Sequence, residues 1–480
     1  MADKPDSDDD LIPGHGVVVR AANGDVIRYD PSGLVMRLSD KVIDDIALRL
    51  GAAMPASRAP AGAPDAPVAE IDADDLLDTI DAWDVRQKGQ WLHFTARLAG
   101  AQGVRGFRRH LDGGTVLGDG PGPVLGILGL GGPRAALASA GAPAFPHHVV
   151  APQDDIGAVG HAGVDKAVET DRLEGLRERT HEALVADTIL GWQMEKFAPL
   201  PLIFARVETD GSASAGALAA GRAVENLLVA AGNLKSAAAR MGKRAKLLAV
   251  CLDFALEDLS GDATAYRDGM LATMQRIGDG LWSLGYDKPL FVARFEAGLT
   301  GPGAEAVLAG QWELAWNHGD HRLIHSAPSY MFTLDRYDRP TEEARIQMAE
   351  MTAAALSAGA DWRCPTLFLA EREPGDGRSL RVTLQAEGDL VLEPAGTTHG
   401  FALLNAGSAT IETITIAPDD PQALLIRCSA RPEGTDLRLA YAAGGPGGVR
   451  DGWSLASATG ATLHRWALPA ILPVTDGAHD

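Results

Sequence analysis

PVLGILGLGGPRAALASAG, Pro123 to Gly141, decides how the chain is read. Its first half is an apolar run closed by glycines. Its second half opens on Pro133, whose fixed φ suits the first position of a helix. The stretch therefore reads as strand, tight turn, helix. Downstream the motif recurs: apolar runs at Pro199–Glu208, Lys246–Leu256 and Pro289–Glu296 alternate with helical patterns at Ala217–Met241, Tyr266–Leu284, Ala304–Asn317 and Thr341–Ala358. Strands and helices in that alternation predict βαβ units, hence a mostly parallel sheet covered on both faces.

After Trp362 the pattern changes. TLFLAE, LRVTLQAE, LVLEP, ATIETITIA, ALLIRCSA and LRLAYAAG are short, rich in β-formers and parted by Gly, Pro and Asp. They predict an all-β sandwich or jelly-roll module over 361–480. Upstream, Val17–Gly33 reads as a hairpin around Asn23-Gly24-Asp25. A short amphipathic helix follows with Val42, Ile43, Ile46, Ala47 and Leu50 on one side. The expected organisation is a docking segment over 1–51, a Pro/Ala linker over 52–70, a small mixed domain over 71–120 with a helix at Ile71–Trp83, the α/β domain over 121–360 and the β module.

Composition narrows the function. Against 43 Lys and Arg stand 64 Asp and Glu, a formal charge of −21. That balance argues against nucleic acid and against anionic lipid as partners. The N-terminal MADKPDSDDD is acidic where a signal peptide is basic, and no apolar run is long enough for a membrane span. The chain is expected to stay in the cytoplasm or to be assembled there into a particle. Cys251, Cys364 and Cys428 fit neither a zinc site nor a disulfide framework, and read as buried thiols.

Several candidate sites can be weighed from the residues. Gly129-x-Gly131-x-x-Arg134 partly mimics a dinucleotide fingerprint, but its third Gly is missing and Pro133 removes an N–H donor. No cofactor is expected. His318, His321 and His325 would share a face if helical and could then hold a metal; Gly319 favours a helix end and loop instead, so no metal is expected either. His147 and His148 read as an exposed loop pair. Ser212 and Ser214 follow a strand and precede a helix, a place where small hydroxyls cap helices.

Taken together, four blocks over about 122–359 resemble the SGNH (GDSL-type) hydrolase superfamily, in particular its sialate O-acetylesterase branch. Gly131-Gly132-Pro133-Arg134 stands at the nucleophile block, Gly211 at the oxyanion-hole glycine, and Glu257 with Tyr266 in the third block. Asp335 matches the acid of the last block, with Asp338 or Arg339 where the His should be. The resemblance implies a flavodoxin-like three-layer α/β domain. It also implies lost chemistry. Pro133 has no nucleophilic atom, and neither Asp338 nor Arg339 can serve as an imidazole base.

The expected function is therefore binding of carbohydrate, a surface polysaccharide, on an inactive esterase fold. The pocket would be formed by Gly131, Gly132, Arg134, Gly211, Ser212, Glu257 and Asp335. The domain order resembles the spikes and fibres of phages and of phage-like gene transfer agents, with residues 1–70 mediating homo-oligomerisation or docking on a larger assembly. One alternative is an active carbohydrate O-acetylesterase using substituted residues; another is a purely structural scaffold subunit.

Overall fold

A computed structural model describes the backbone at 16–20, 26–30 and 33–37, and the chain at 76–211, 214–255, 262–297, 303–393 and 396–476. Met1–Glu70 and Ile71–Asp480 are two compact units. In the first, β1 (Gly16–Arg20), β2 (Val26–Asp30) and β3 (Gly33–Arg37) form an antiparallel sheet. The first two are the expected hairpin; the third was not anticipated. The expected helix at Val42–Leu50 and the linker lie outside the described residues.

The second unit opens with four antiparallel strands, β4 (Ala82–Lys88), β5 (Trp91–Ala96), β6 (Arg105–His110) and β7 (Gly113–Gly118). Leu92, Phe94 and Ala96 alternate inward on β5 and pack on Phe107. The strand from Ala82 replaces the helix expected to run to Trp83. Antiparallel pairing with β5, from Ala82 opposite Ala96 to Lys88 opposite Trp91, holds this segment extended and prevails over the helical reading.

The central sheet is built on β8 (Val124–Gly131), whose Val124, Ile127 and Leu128 are fully buried. A two-residue strand β9 (Ser139–Ala140) pairs later with β12 (Glu178–Arg179). Then come β10 (Val149–Pro152), β11 (Leu173–Gly175), β13 (Leu202–Thr209), β14 (Ala245–Asp253), β15 (Leu290–Phe295) and β16 (Arg322–Pro328). Their spatial order is β11-β10-β13-β8-β14-β15-β16, parallel throughout except for β11. β8 pairs along its whole length with β13 on one side and β14 on the other, so the chain reverses its direction of travel across the sheet at β8.

Among the described residues, six helices cover the two faces: α1 (His181–Glu195), α2 (Ala215–Ala220), α3 (Arg222–Arg240), α4 (Ala263–Ser283), α5 (Ala304–Trp316) and α6 (Glu342–Ala358). One core gathers α3, α4 and α5 residues with Leu128, Phe204 and Val250; the other gathers α1 and α6 with Ile127, Ile203 and Ala205. Consecutive residues of one strand face opposite layers, as a parallel sheet buried on both sides requires. The long helix expected at Ala217–Met241 is two helices broken at Gly221. The helix expected after Pro133 is one 3-10 turn, Pro133–Ala136. Helix α1 and strand β16 were not anticipated. His148 is buried rather than exposed: it lies under Gly118 and its Nδ1 is 3.2 Å from the Pro201 carbonyl, with burial pushing its pKa down to about 4.

The C-terminal region is all β, as expected: β17 (Thr366–Arg372), β18 (Ser379–Gln385), β19 (Leu390–Leu392), β20 (Phe401–Leu404), β21 (Ile411–Ala417), β22 (Asp420–Cys428), β23 (Arg438–Tyr441), β24 (Val449–Ala456), β25 (Thr462–Trp466) and β26 (Ala470–Asp476). They form a seven-stranded sheet, β20-β23-β26-β17-β18-β22-β21, and a three-stranded one, β19-β24-β25. This β module shares cores with the α/β part. Phe295 and Leu308 pack with Cys364 and Leu468, and Met348 and Met351 pack with Leu463. Trp312 donates to the Leu367 carbonyl at 2.8 Å, and the buried Glu350 accepts from Ser457 Oγ at 2.5 Å and from Ala458 N at 2.7 Å. All three cysteines are free and buried. Among the described residues, no helix is long and apolar enough to cross a membrane.

Candidate binding site at the sheet edge

In an open α/β sheet, ligands sit beyond the carboxyl ends of the strands, where the strand order reverses. Here that place is the end of β8. Gly131 is there because nothing larger fits: a Cβ would lie 2.2 Å from the Asp253 carbonyl oxygen and 2.7 Å from Ala135 Cβ. Gly132 continues extended and donates its N–H to the same carbonyl at 3.1 Å. The turn Pro133–Ala136 follows. Arg345 of α6 holds its exit, donating to Ser139 Oγ at 2.6 Å, to the Leu137 carbonyl at 3.0 Å and to the Arg179 carbonyl at 2.7 Å.

Charged groups from neighbouring strand ends gather beside this turn. Asp253, closing β14, accepts from Arg294 Nη2 of β15 at 2.6 Å. Burial alone would raise the Asp253 pKa, but Arg294 and then Arg134 outweigh it and hold the carboxyl below its ordinary value. Glu296, one residue past β15, accepts from Ser329 Oγ at 2.8 Å through Oε1. Its Oε2 lies 3.9 Å from Arg134 Nη1. That separation is an ion pair without a hydrogen bond.

Beneath the cluster, α1 begins. Thr180 caps it by accepting from Ala183 N. His181 is within electrostatic reach of Arg294 and Asp253 and bonds to Thr352 Oγ1 at 3.1 Å; burial drives its pKa down to about 3. It is neutral near pH 7, and so low a pKa makes it a weak base. Glu182 is buried against Gly129, where a Cβ would come within 2.1 Å of its Oε1. Burial raises its carboxyl to about 7, and its Oε2 has no hydrogen-bond partner among the described residues.

The structure brings some of the expected residues together. Gly131, Gly132, Pro133 and Arg134 form the turn, and Gly211 follows β13, whose successor Asp210 donates its N–H to the Gly131 carbonyl at 2.9 Å. Ser212 and Glu257 lie outside the described residues. Ser214 caps α2 by accepting from Ala217 N at 3.1 Å. Asp335 is committed to its own turn. Oδ1 accepts from the N–H groups of Tyr337 and Arg339 at 2.8 and 3.1 Å, and Oδ2 accepts from the Arg339 guanidinium at 3.3 and 3.1 Å. The Arg339 backbone bond leads in holding its pKa down. Asp338 sits in left-handed backbone at φ 56° in the same turn. Of the three histidines considered as ligands, His318 and His321 follow α5 in a turn and His325 lies on β16. Among the described residues, no group of three His, Cys, Asp or Glu is placed to hold a metal.

Sequence reasoning missed Asp253, Arg294, Glu296, Ser329, His181 and Glu182. The available signal was position. Asp253 and Glu296 are the first acids met at the ends of apolar strand runs, where the parallel-sheet reading already placed the site.

No protein-family model and no curated protein matches the chain. Among solved structures it is similar to a carbohydrate acetylesterase from Xanthomonas citri, at 14% identity and TM-score 0.47, covering 95% of this chain and 92% of that one. It is also similar to a protein from Arabidopsis thaliana, at 13% identity and TM-score 0.33, covering 49% of this chain and 99% of that one. At these identities and TM-scores neither likeness informs the chemistry of this site.

Proposed function

We propose that this protein binds a carbohydrate at the carboxyl edge of its central sheet and does not hydrolyse it. The observation that carries the reading is the pair formed by Arg134 and Glu296. At 3.9 Å the two charges attract but do not satisfy each other, leaving guanidinium donors and a carboxylate oxygen open to a ligand. Neighbouring hydroxyls on a sugar both donate and accept, so they can bridge such a pair. Fixed partners support it from behind: Ser329 and Gln311 on Glu296, and Asp253 on Arg294.

Three features speak against ester hydrolysis. The turn after β8 offers Pro133 and Arg134 but neither hydroxyl nor thiol, burial leaves His181 a weak base bonded to Thr352, and Asp335 is spent on its own turn. The inner strands β13-β8-β14-β15-β16 support an SGNH-like arrangement, since taken alone they read 2-1-3-4-5, the flavodoxin-like pattern, to which the parallel β10 and antiparallel β11 are added beyond β13.

The test is calorimetric titration of the full chain with paired O-acetylated and de-acetylated polysaccharides, with acetate followed in the same samples. Saturable binding is expected, weakened about tenfold or more by Arg134→Ala and by Glu296→Gln, the cost of one charge-assisted hydrogen bond. Acetate should not rise above the buffer blank. Acetate release would establish the esterase instead, and binding indifferent to both variants would remove the site from this edge.

A further inference from the structure

A second cavity lies away from that edge, beside the start of β16, the last strand of the central sheet. It has a volume of about 270 Å³ and is walled by Leu290 and Arg322–His325 on one side and by Trp362–Cys364 and Leu468 on the other. It thus occupies the seam between the α/β part and the β module. One water needs only about 10–15 Å³ and small-molecule pockets begin at about 300 Å³, so this space suits a ligand of monosaccharide size.

The charged lining is cationic and rests on Arg322 and Arg363, since no lining residue is Asp or Glu. Three histidines (His318, His321, His325) face it too, and burial lowers the pKa of His321 and takes that of His325 down to about 4. That composition runs against a chain with 64 acids and 43 bases. Three carboxylates stand near the rim, all exposed. Asp320 lies between two of the lining histidines in sequence, Asp361 lies between the lining residues Ala360 and Trp362, and Glu387 forms an ion pair with Arg363 Nε at 3.9 Å, beyond hydrogen-bond reach. Two polar atoms beside the cavity also lack partners. Trp316 Nε1 and His318 Nδ1 are buried and have no hydrogen-bond partner among the described residues. A buried polar atom without a partner is costly, and both belong to residues that line this cavity.

The walls are prebuilt. Trp362 Nε1 donates to the His325 carbonyl at 3.1 Å, Cys364 Sγ contacts the same carbonyl at 3.5 Å, and Thr366 Oγ1 donates to the Cys364 carbonyl at 2.9 Å. Burial pushes the Cys364 thiol up to about 12, so it is a packing group and not a nucleophile.

We infer that this seam cavity binds a small organic anion of monosaccharide size, its carboxylate or phosphate taken by Arg322 and Arg363. The inference is independent of the sheet-edge reading, so failure of one leaves the other standing.

The experiment titrates the full chain, by calorimetry and tryptophan fluorescence, with D-glucuronate, D-glucose 6-phosphate and D-glucose. At least one anion should saturate with a Kd in the roughly millimolar range or tighter, with glucose about tenfold or more weaker. Preference for glucuronate would identify a carboxylate ligand, and preference for the 6-phosphate a phosphate ligand. Arg322→Glu and Arg363→Ala should each weaken the anion about tenfold, while Arg322→Lys keeps most of the affinity at an unchanged thermal midpoint. Glucose binding as tightly as the anions, no saturation by either anion, or affinity unmoved in Arg322→Glu and Arg363→Ala would each overturn the inference.

Discussion

Glu182→Gln is expected to stabilise the protein at neutral pH and to leave it nearly unchanged in acid. Burial raises this carboxyl to about 7 from an ordinary 4.5, aided by Asp253 and opposed by its own backbone N–H, by Thr180 and by Arg294. The folded chain therefore keeps a proton that the unfolded chain releases. Below pH 4.5 both states hold it and Glu182 imposes no penalty. From there to about pH 7 stability falls as pH rises, by about 1.4 kcal/mol per pH unit, and above that the loss is constant at about 3 kcal/mol. Glutamine keeps the shape and a neutral group, and so removes this slope. Urea unfolding followed by tryptophan fluorescence, at about pH 5 and about pH 8, measures both proteins. The difference in unfolding free energy should be within about 1 kcal/mol at the lower pH and about 3 kcal/mol in favour of the variant at the higher. A difference that does not change with pH would refute the reasoning, because it would mean that Glu182 has the same proton affinity folded and unfolded.

Two further outcomes concern the scaffold of the site. Gly131→Ala places a methyl 2.2 Å from a backbone carbonyl that cannot move without parting β8 from β14, so a loss of about 3 kcal/mol or more is expected in urea midpoints. Arg206, 1% exposed, bonds Glu208 at 2.8 Å, pairs with Asp154 at 3.0 Å and donates to the Gly157 carbonyl at 2.6 Å. Arg206→Met strands two buried carboxylates and should cost about 3–5 kcal/mol at pH 7, and less at acid pH, where Glu208 can take up a proton; thermal midpoints against pH report both.

The layered architecture was legible because strands buried on both faces are written as unbroken apolar runs, and β8, β13, β14 and β15 all are. Helix α1 was not, because it lacks a clean apolar stripe: Glu182 is buried at its start beside Ala183, Leu184, Val185 and Ala186. The one clear mark was Thr180, a good N-cap residue placed three before Ala183. Strand β16 was hidden by its flank, since the histidines and Gly319 before it speak for a turn and only Arg322–Pro328 carries strand character. The site was half legible. The glycines and Arg134 lie next to one another in sequence, so a local motif finds them. Asp253, Arg294, Glu296 and Ser329 come from three different strand ends, and only the register of a parallel sheet brings them together. Asp335 shows the opposite error: its position in a motif says nothing about hydrogen bonds already taken by its own turn.

The shared cores also bear on how such a chain can change over generations. Phe295, Leu308 and Trp312 belong to the α/β part, yet their partners are Cys364, Leu468 and the Leu367 carbonyl. Recombination that swapped the β module for a foreign one would lay that apolar strip bare, inviting aggregation before any gain in recognition could be selected. The module is therefore not a cassette. The two parts are inherited together, and new specificity has to arise by substitution at the sheet-edge turn or in the loops, leaving the seam intact.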